Sequence, residues 1–439
     1  MPQEKPMQNH LTTRRLFLQR GLTLLAATPT IPAFLDQTVL AMANPADAPR
    51  VQQPSGRDGK ILVVVQLSGG NDGLNTVIPY ADDVYRKSRP SLAVGKERVR
   101  KIDDYVGLHP SMEGFSKLLE AGQLGVVQGV GYPNPDRSHF SSMDIWHTAR
   151  PDLYKGRGER DGPGHRVTGW IGRCLDCNAR SDGKAGHGDM PALHLGAGRL
   201  PLALVGEEIR CSSVAALEGF KLEDGGNERV VKAMQKAAAA KRSVNDDLVT
   251  FLQRGTLSAM ESSRRVQESL GKYKTDVKYP ESGLANRLKT VSQLIDAGLG
   301  TRVYYLDLDG FDTHANQGGA HAGLLAELTG AVAAFVNDLD KHGHGKRVMT
   351  MTFSEFGRRV KENASQGTDH GAAAPLFVAG GKVKTGLIGK HPSLTDLDEG
   401  DLKYTTDFRG VYAAVLEQWL GVASEPVLRG KFDPVRVTA

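Results

Sequence analysis

The stretch Ile61–Leu67, ILVVVQL, followed at once by Ser68-Gly69-Gly70-Asn71-Asp72-Gly73, decides the fold class. A continuous run of aliphatic, mostly β-branched residues bounded by turn formers reads as a strand covered on both faces, as in a parallel sheet. The glycine-rich turn then carries Asp72 beyond the strand's C-terminal end. In an open α/β sheet, that is where ligands gather.

Working outward, short apolar runs recur at 124–128, 192–195, 303–308, 348–353 and 376–379. Helical patterns at 111–121, 138–148, 321–341 and 408–420 separate several of them. Strands alternating with helices predict an α/β fold, a mostly parallel sheet with helices on both faces. Residues 212–296 differ, being rich in Lys, Glu, Gln and Ala. Helices are expected there at 230–242, 246–270 and 284–295, as a solvated helical insertion.

The N-terminus has a different character. Thr13-Arg14-Arg15-Leu16-Phe17-Leu18 is a twin-arginine export signature, followed by an apolar stretch and the small-x-small site Ala41-Met42-Ala43. Residues 1–43 are therefore expected to be a signal peptide and 44–60 a loose arm, leaving 61–439 as the folded domain. The apolar stretch is interrupted by Pro29 and Pro32. It falls short of the ~20 residues that a membrane span needs. The expected partner is the twin-arginine export machinery, and the expected location is periplasmic or secreted.

Composition narrows the function classes. Of 439 residues, 24% are charged, 40% hydrophobic and 6% aromatic, which suits a globular protein with a sizeable core. The formal net charge is +5 without a dense Lys/Arg block, which gives no footing for nucleic-acid binding. Cys174 and Cys177 form a C-x-x-C, and Cys211 stands apart. A four-sulfur zinc site lacks its second pair, so the expected role is structural, with one bridge from Cys211 to either partner.

Residues just after the strands carry the chemistry. They are Asp72; Asn134-Pro135-Asp136-Arg137-Ser138-His139; Asp309-Gly310-Phe311-Asp312-Thr313-His314; Ser354-Glu355-Phe356; and, before the run at 376–379, Asp369-His370-Gly371. Carboxylates with imidazole suit a divalent ion such as Zn²⁺, Mn²⁺, Mg²⁺ or Ca²⁺. Asp312 and His314 lie two apart, so an extended segment points both the same way. The expected metal set is Asp72, Asp312, His314, Glu355 and His370, with Asp369 in reserve. His139 and His147 are read as packing or surface residues. No G-x-S-x-G, G-x-x-x-x-G-K-[ST], H-E-x-x-H or G-x-G-x-x-G is present.

The segments LSGGNDGLNTVIPY, PDRSHFSSMDIWHTA, GFDTHANQ, TFSEFGRR and GTDHGAAAPLFVAGG resemble domain-of-unknown-function family 1501. That family groups exported bacterial proteins placed in the alkaline-phosphatase-like, or sulfatase-like, superfamily. The resemblance implies a three-layer α/β/α sandwich and a hydrolase of phosphate, less readily sulfate, esters, small-molecule or envelope-polymer. It implies Asp72 as a metal ligand, Ser138 as the nucleophile at a helix start, and Asp312, His314 and His370 around one or two divalent ions. Arg137 would grip the non-bridging oxygens. The chain departs from the superfamily at Glu355-Phe356, where Asp-His is usual, and in the spacing from Asp312 to His314. The sulfatase Cys/Ser-x-Pro-x-Arg pattern is missing at Ser138. Phe356 and the short Asp312–His314 spacing support the competing expectation, a non-catalytic envelope module that keeps the fold.

Overall fold

The computed structural model describes residues 59–154, 167–182, 191–196, 198–207, 209, 211–214 and 272–439. They fall in a compact unit formed by 52–216 and 268–439. The expected signal peptide, nearly all of the expected arm, and the helices at 230–242 and 246–270 lie outside the described residues.

Among the described residues nine strands form the main sheet. They are β1 (Ile61–Leu67), β2 (Leu124–Gly131), β3 (Ala192–Leu195), β4 (Ser212–Val214), β5 (Val303–Leu308), β6 (Val348–Ser354), β7 (Ala374–Ala379), β8 (Gly386–Ile388) and β9 (Thr406–Asp407). The order is β8-β2-β7-β6-β1-β5-β3-β4, with β9 also on β2. β1 sits centrally and pairs in parallel with β5 and β6. β7 runs antiparallel to both its neighbours, so the sheet is largely rather than wholly parallel. All seven residues of β1 are buried or nearly so, as its unbroken apolar run requires.

Alternation along the strands sends side chains to two helical layers. On one side Leu62, Val64, Met351 and Phe353 pack with Trp146, Trp170 and Tyr412. Those three come from α2 (His139–Thr148), α3 (Trp170–Asp182) and α6 (Phe408–Ala414). On the other side Phe377 of β7 meets Phe115 of α1 (Glu113–Glu120), ring centroids 4.9 Å apart. Helix α5 (Gln317–Lys341) packs there between α1 and α4 (Gly283–Asp296). Helix α5 is long and apolar enough to cross a membrane, yet Leu325, Leu328, Val332 and Phe335 are spent on this core.

Three expectations change in detail. The two ends of the expected insertion belong to the sheet layers, since 212–214 is β4 and α4 leads into β5. The helix expected at 408–420 is α6 followed by a π-helical segment, Val415–Leu420. Cys174, Cys177 and Cys211 are thiols rather than one bridge plus a thiol. Cys174 is a core residue of α3 beside Trp170 and Ile171, and burial pushes its thiol up to about 12. It packs as a small apolar group.

Candidate metal centre

The loops after β1, β2, β5 and β6 meet at one end of the sheet. Among the described residues His139, Asp312 and His370 offer ligand atoms within 4.8 Å of one another. His314 joins them: its Nε2 is 3.1 Å from Asp312 Oδ1 and 2.9 Å from His370 Nε2. His370 Nε2 is also 3.1 Å from Asp312 Oδ1.

Each imidazole is held from behind. Nδ1 of His139 lies 2.9 Å from Glu355 Oε1. Nδ1 of His370 lies 2.8 Å from the Arg137 carbonyl, and Nδ1 of His314 lies 3.5 Å from Asp369 Oδ1. For His139 and His370 the acceptor hydrogen-bonded to Nδ1 places the proton there and leaves Nε2 as a lone pair facing the centre. Metal-binding histidines show this arrangement. Nε2 of His139 is buried without a hydrogen-bond partner, 3.5 Å from Asp312 Oδ2. Nε2 atoms of His314 and His370 facing at 2.9 Å would repel as two lone pairs unless a proton or a cation lies between. The residues present therefore fit a divalent ion.

Local sequence explains the positioning. Trp146 stacks on Phe353 of β6 at 5.2 Å, which fixes α2 and hence His139 in its first turn. Ser142, one residue short of a turn further on, donates to the Glu355 carbonyl at 2.6 Å. Gly69 has φ +117° and donates its N–H to Glu355 Oε1. A Cβ at Gly69 would reach 2.3 Å from the Asp312 nitrogen, so only glycine lets these loops meet. Beneath them Arg358 is fully buried. It donates to the carbonyls of Gly70 and Thr368 at 2.7 Å, of Phe311 at 3.0 Å and of Gly69, and to Asp312 Oδ1 at 2.8 Å. Partial desolvation would raise the Asp312 carboxyl, but the hydrogen bond and charge of Arg358 outweigh it and hold it below its ordinary value. Asp312 is thus an anion in any ordinary buffer. The Glu355 hydrogen bond raises His139 above its ordinary value against desolvation.

The expected residues divide into three groups. Asp312, His314 and His370 come together. Glu355 and Asp369 stand behind histidines rather than among the facing donors. Asp72, Ser138 and the Arg137 guanidinium are engaged elsewhere or left at the rim. The buried Asp72 carboxylate accepts from Arg89 and Gln317. Arg137 pairs with Asp401 at 2.6 Å, so only its carbonyl serves the site. The N-cap of α2 is Ser138, whose side chain makes no capping bond and is exposed. His139, read from the sequence as packing, is a member of the cluster. Its place directly after the β2 loop, in the first turn of a helix, was the available signal.

A cavity of about 530 Å³ opens beside the cluster, lined by Gln66, Ser68, Phe140, Met143 and His147 together with His139, Asp312 and Glu355. Ser138, Arg137 and Asp72 do not line it. Phe140 is 87% exposed at its rim.

The sequence profile of the family described as "Protein of unknown function (DUF1501)" matches residues 59–418, which include every member of the cluster. The chain belongs to this family. No curated protein matches it. Solved structures similar to this family member include the lipoteichoic acid synthase LtaP from Listeria monocytogenes, at 9% identity and TM-score 0.40, over 91% of this chain and 81% of that one. The PsFucS1 sulfatase from Pseudoalteromonas sp. is similar at 10% identity and TM-score 0.36, over 91% and 74%. A protein in the alkaline phosphatase superfamily from Vibrio parahaemolyticus is similar at 9% identity and TM-score 0.35, over 91% and 77%.

Proposed function

We propose that this protein is an exported, metal-dependent hydrolase of phosphate esters, with sulfate esters as the second choice. One observation carries the reading. Three imidazoles, each with Nδ1 turned to an acceptor, aim Nε2 toward one carboxylate on the wall of an open cavity. A divalent ion held by His139, Asp312, His314 and His370 would supply Lewis acidity toward an ester oxygen. Asp72 is neutralised by Arg89, and Phe356 offers no donor, so the donor set favours one ion over two. Export is supported by the twin-arginine signature in residues 1–43.

The chain's own groups account for binding. Asp312 stays ionised because Arg358 stabilises the anion, so it keeps its ligand form across the working pH range. Arg358 holds three loops at once and leaves little reorganisation for catalysis to undo. Among the described residues the cavity lining has no Lys or Arg. An anionic substrate group must therefore look to the cluster itself for positive charge. Phe140, Met143 and Leu202 form an apolar stretch suited to the neutral remainder of the ester. The test measures metal stoichiometry and turnover of 4-nitrophenyl phosphate and sulfate by the purified full chain. One bound Zn²⁺ or Mn²⁺ and ester cleavage are expected. No stoichiometric metal after reconstitution would overturn the reading, and metal without cleavage of any ester would favour a binding module.

A further inference from the structure

The cavity holds a second polar group, outside the metal donors, whose orientation is set by a chain of hydrogen bonds. Gln66 and Ser68 lie two apart at the end of β1, so both face the α2 side. Oε1 of Gln66 accepts from the Tyr305 hydroxyl at 2.6 Å and lies 2.8 Å from Nε2 of His147. Burial holds His147 down to about 3, so its ring is neutral at ordinary pH. His147 Nε2 also lies 3.0 Å from the Tyr305 hydroxyl, and with Gln66 Oε1 as the acceptor its proton sits on Nε2. The 2.6 Å contact with the Tyr305 hydroxyl is an O–H···O distance and marks Oε1 on that side, so Gln66 Nε2 donates to Ser68 Oγ at 2.9 Å, an N–H···O distance. A hydroxyl that accepts on this side keeps its own proton to give elsewhere. Ser68 is the one Ser or Thr among the described residues lining the cavity.

We propose that Ser68 donates a hydrogen bond to the ester held in the cavity, and that Tyr305, His147 and Gln66 aim it. This rests on the hydrolase reading above. Ser68 touches substrate and is a catalytic residue in that sense; Gln66 is a positioning residue.

The experiment uses the full chain loaded with Zn²⁺, 4-nitrophenyl phosphate and sulfate as substrates, and inorganic phosphate as competitive ligand. For Ser68→Ala, kcat falls about 10²-fold, the scale for losing one directed donor, while metal content stays at the wild-type value. Ser68→Thr, which keeps the hydroxyl, recovers at least a tenth of the wild-type rate. Gln66→Glu offers Ser68 an acceptor in place of a donor, turns its proton away from the cavity and reproduces the Ser68→Ala loss, again with metal retained. Wild-type kcat in Ser68→Ala or Gln66→Glu overturns the proposal while leaving the hydrolase reading standing. Loss of metal in Ser68→Thr and Gln66→Glu would make this chain a structural prop and also overturns it. A wild-type chain that neither cleaves these esters nor binds phosphate overturns the hydrolase reading itself, and the proposal falls with it.

Discussion

Nδ1 of His139 lies 2.9 Å from Oε1 of Glu355, a side chain only 1% exposed whose same oxygen takes the Gly69 N–H at 2.8 Å. This contact joins α2 to the loops after β1 and β6, three segments far apart in sequence. It also fixes which nitrogen of His139 is left for a ligand. A carboxylate behind an imidazole makes the facing nitrogen a better donor, so Glu355 shapes the site without entering it.

Glu355→Gln keeps the size of the side chain but weakens the acceptor behind His139. Affinity for Zn²⁺, measured by competition with a chelator, is expected to fall about 10- to 100-fold. Unchanged affinity would show that His139 is not a ligand, or that its tautomer does not matter.

Asp312→Asn should empty the site and abolish turnover with little effect on the fold. The Asp312 side chain is 48% exposed, and Arg358 keeps its carbonyl partners when the carboxylate is lost. A half-exposed ion pair is worth about 1 kcal/mol at most. Arg358→Met is the contrasting variant. It strands several buried carbonyls, each costing about 1–3 kcal/mol, so its melting temperature should drop far more than that of Asp312→Asn. Equal shifts in the two variants would contradict this division between ligand and strut.

Six strands were legible because each contains a largely apolar run between turn formers, and β1, β3 and β5 fall where such runs predict, whereas β4, β8 and β9 span only two or three residues and carry no such run. The antiparallel course of β7 was not, because local pattern carries no direction. The loop after each strand located Asp312, His314 and His370. What sequence could not separate was which polar residue beyond a strand faces the site and which is consumed inside. Asp72 has the right address, but Arg89, seventeen residues on, folds back to claim it. His139 has an ordinary address, and only Glu355, 216 residues on, turns it into a candidate ligand. Such pairings are products of tertiary packing.

The Asp72–Arg89 pair predicts a pH signature. Burial would raise the Asp72 carboxyl, but the Arg89 charge and hydrogen bond, helped by Gln317, bring it below its ordinary value. A folded value below the unfolded one contributes stability above about pH 4, lost as pH falls through the folded value. In Arg89→Leu burial is opposed only by Gln317 and His321, the folded value rises, and the variant loses stability as pH climbs above about 4. The gap between wild type and Arg89→Leu should be about 3–5 kcal/mol at pH 7 and narrow clearly at pH 4, in urea unfolding at both pH values. A gap independent of pH would place the cost in packing rather than charge.

Gly70 tests whether the floor of the site is held by backbone geometry. Its φ is +79°, and an added Cβ would come within 2.4 Å of the Phe356 ring. Phe356 in turn packs on His139 and His370, with ring centroids 5.0 and 4.7 Å apart. Gly70→Ala therefore carries two costs, left-handed strain and displacement of a ring that seats two of the facing imidazoles. Stability should fall by more than about 1 kcal/mol, and Zn²⁺ affinity should fall with it. Combining Gly70→Ala with Phe356→Leu relieves the clash but not the strain. Affinity should then recover toward that of Phe356→Leu alone, while the stability loss at position 70 persists. If Gly70→Ala lowers stability yet leaves metal affinity untouched, Phe356 does not seat the histidines and the floor of the site lies elsewhere.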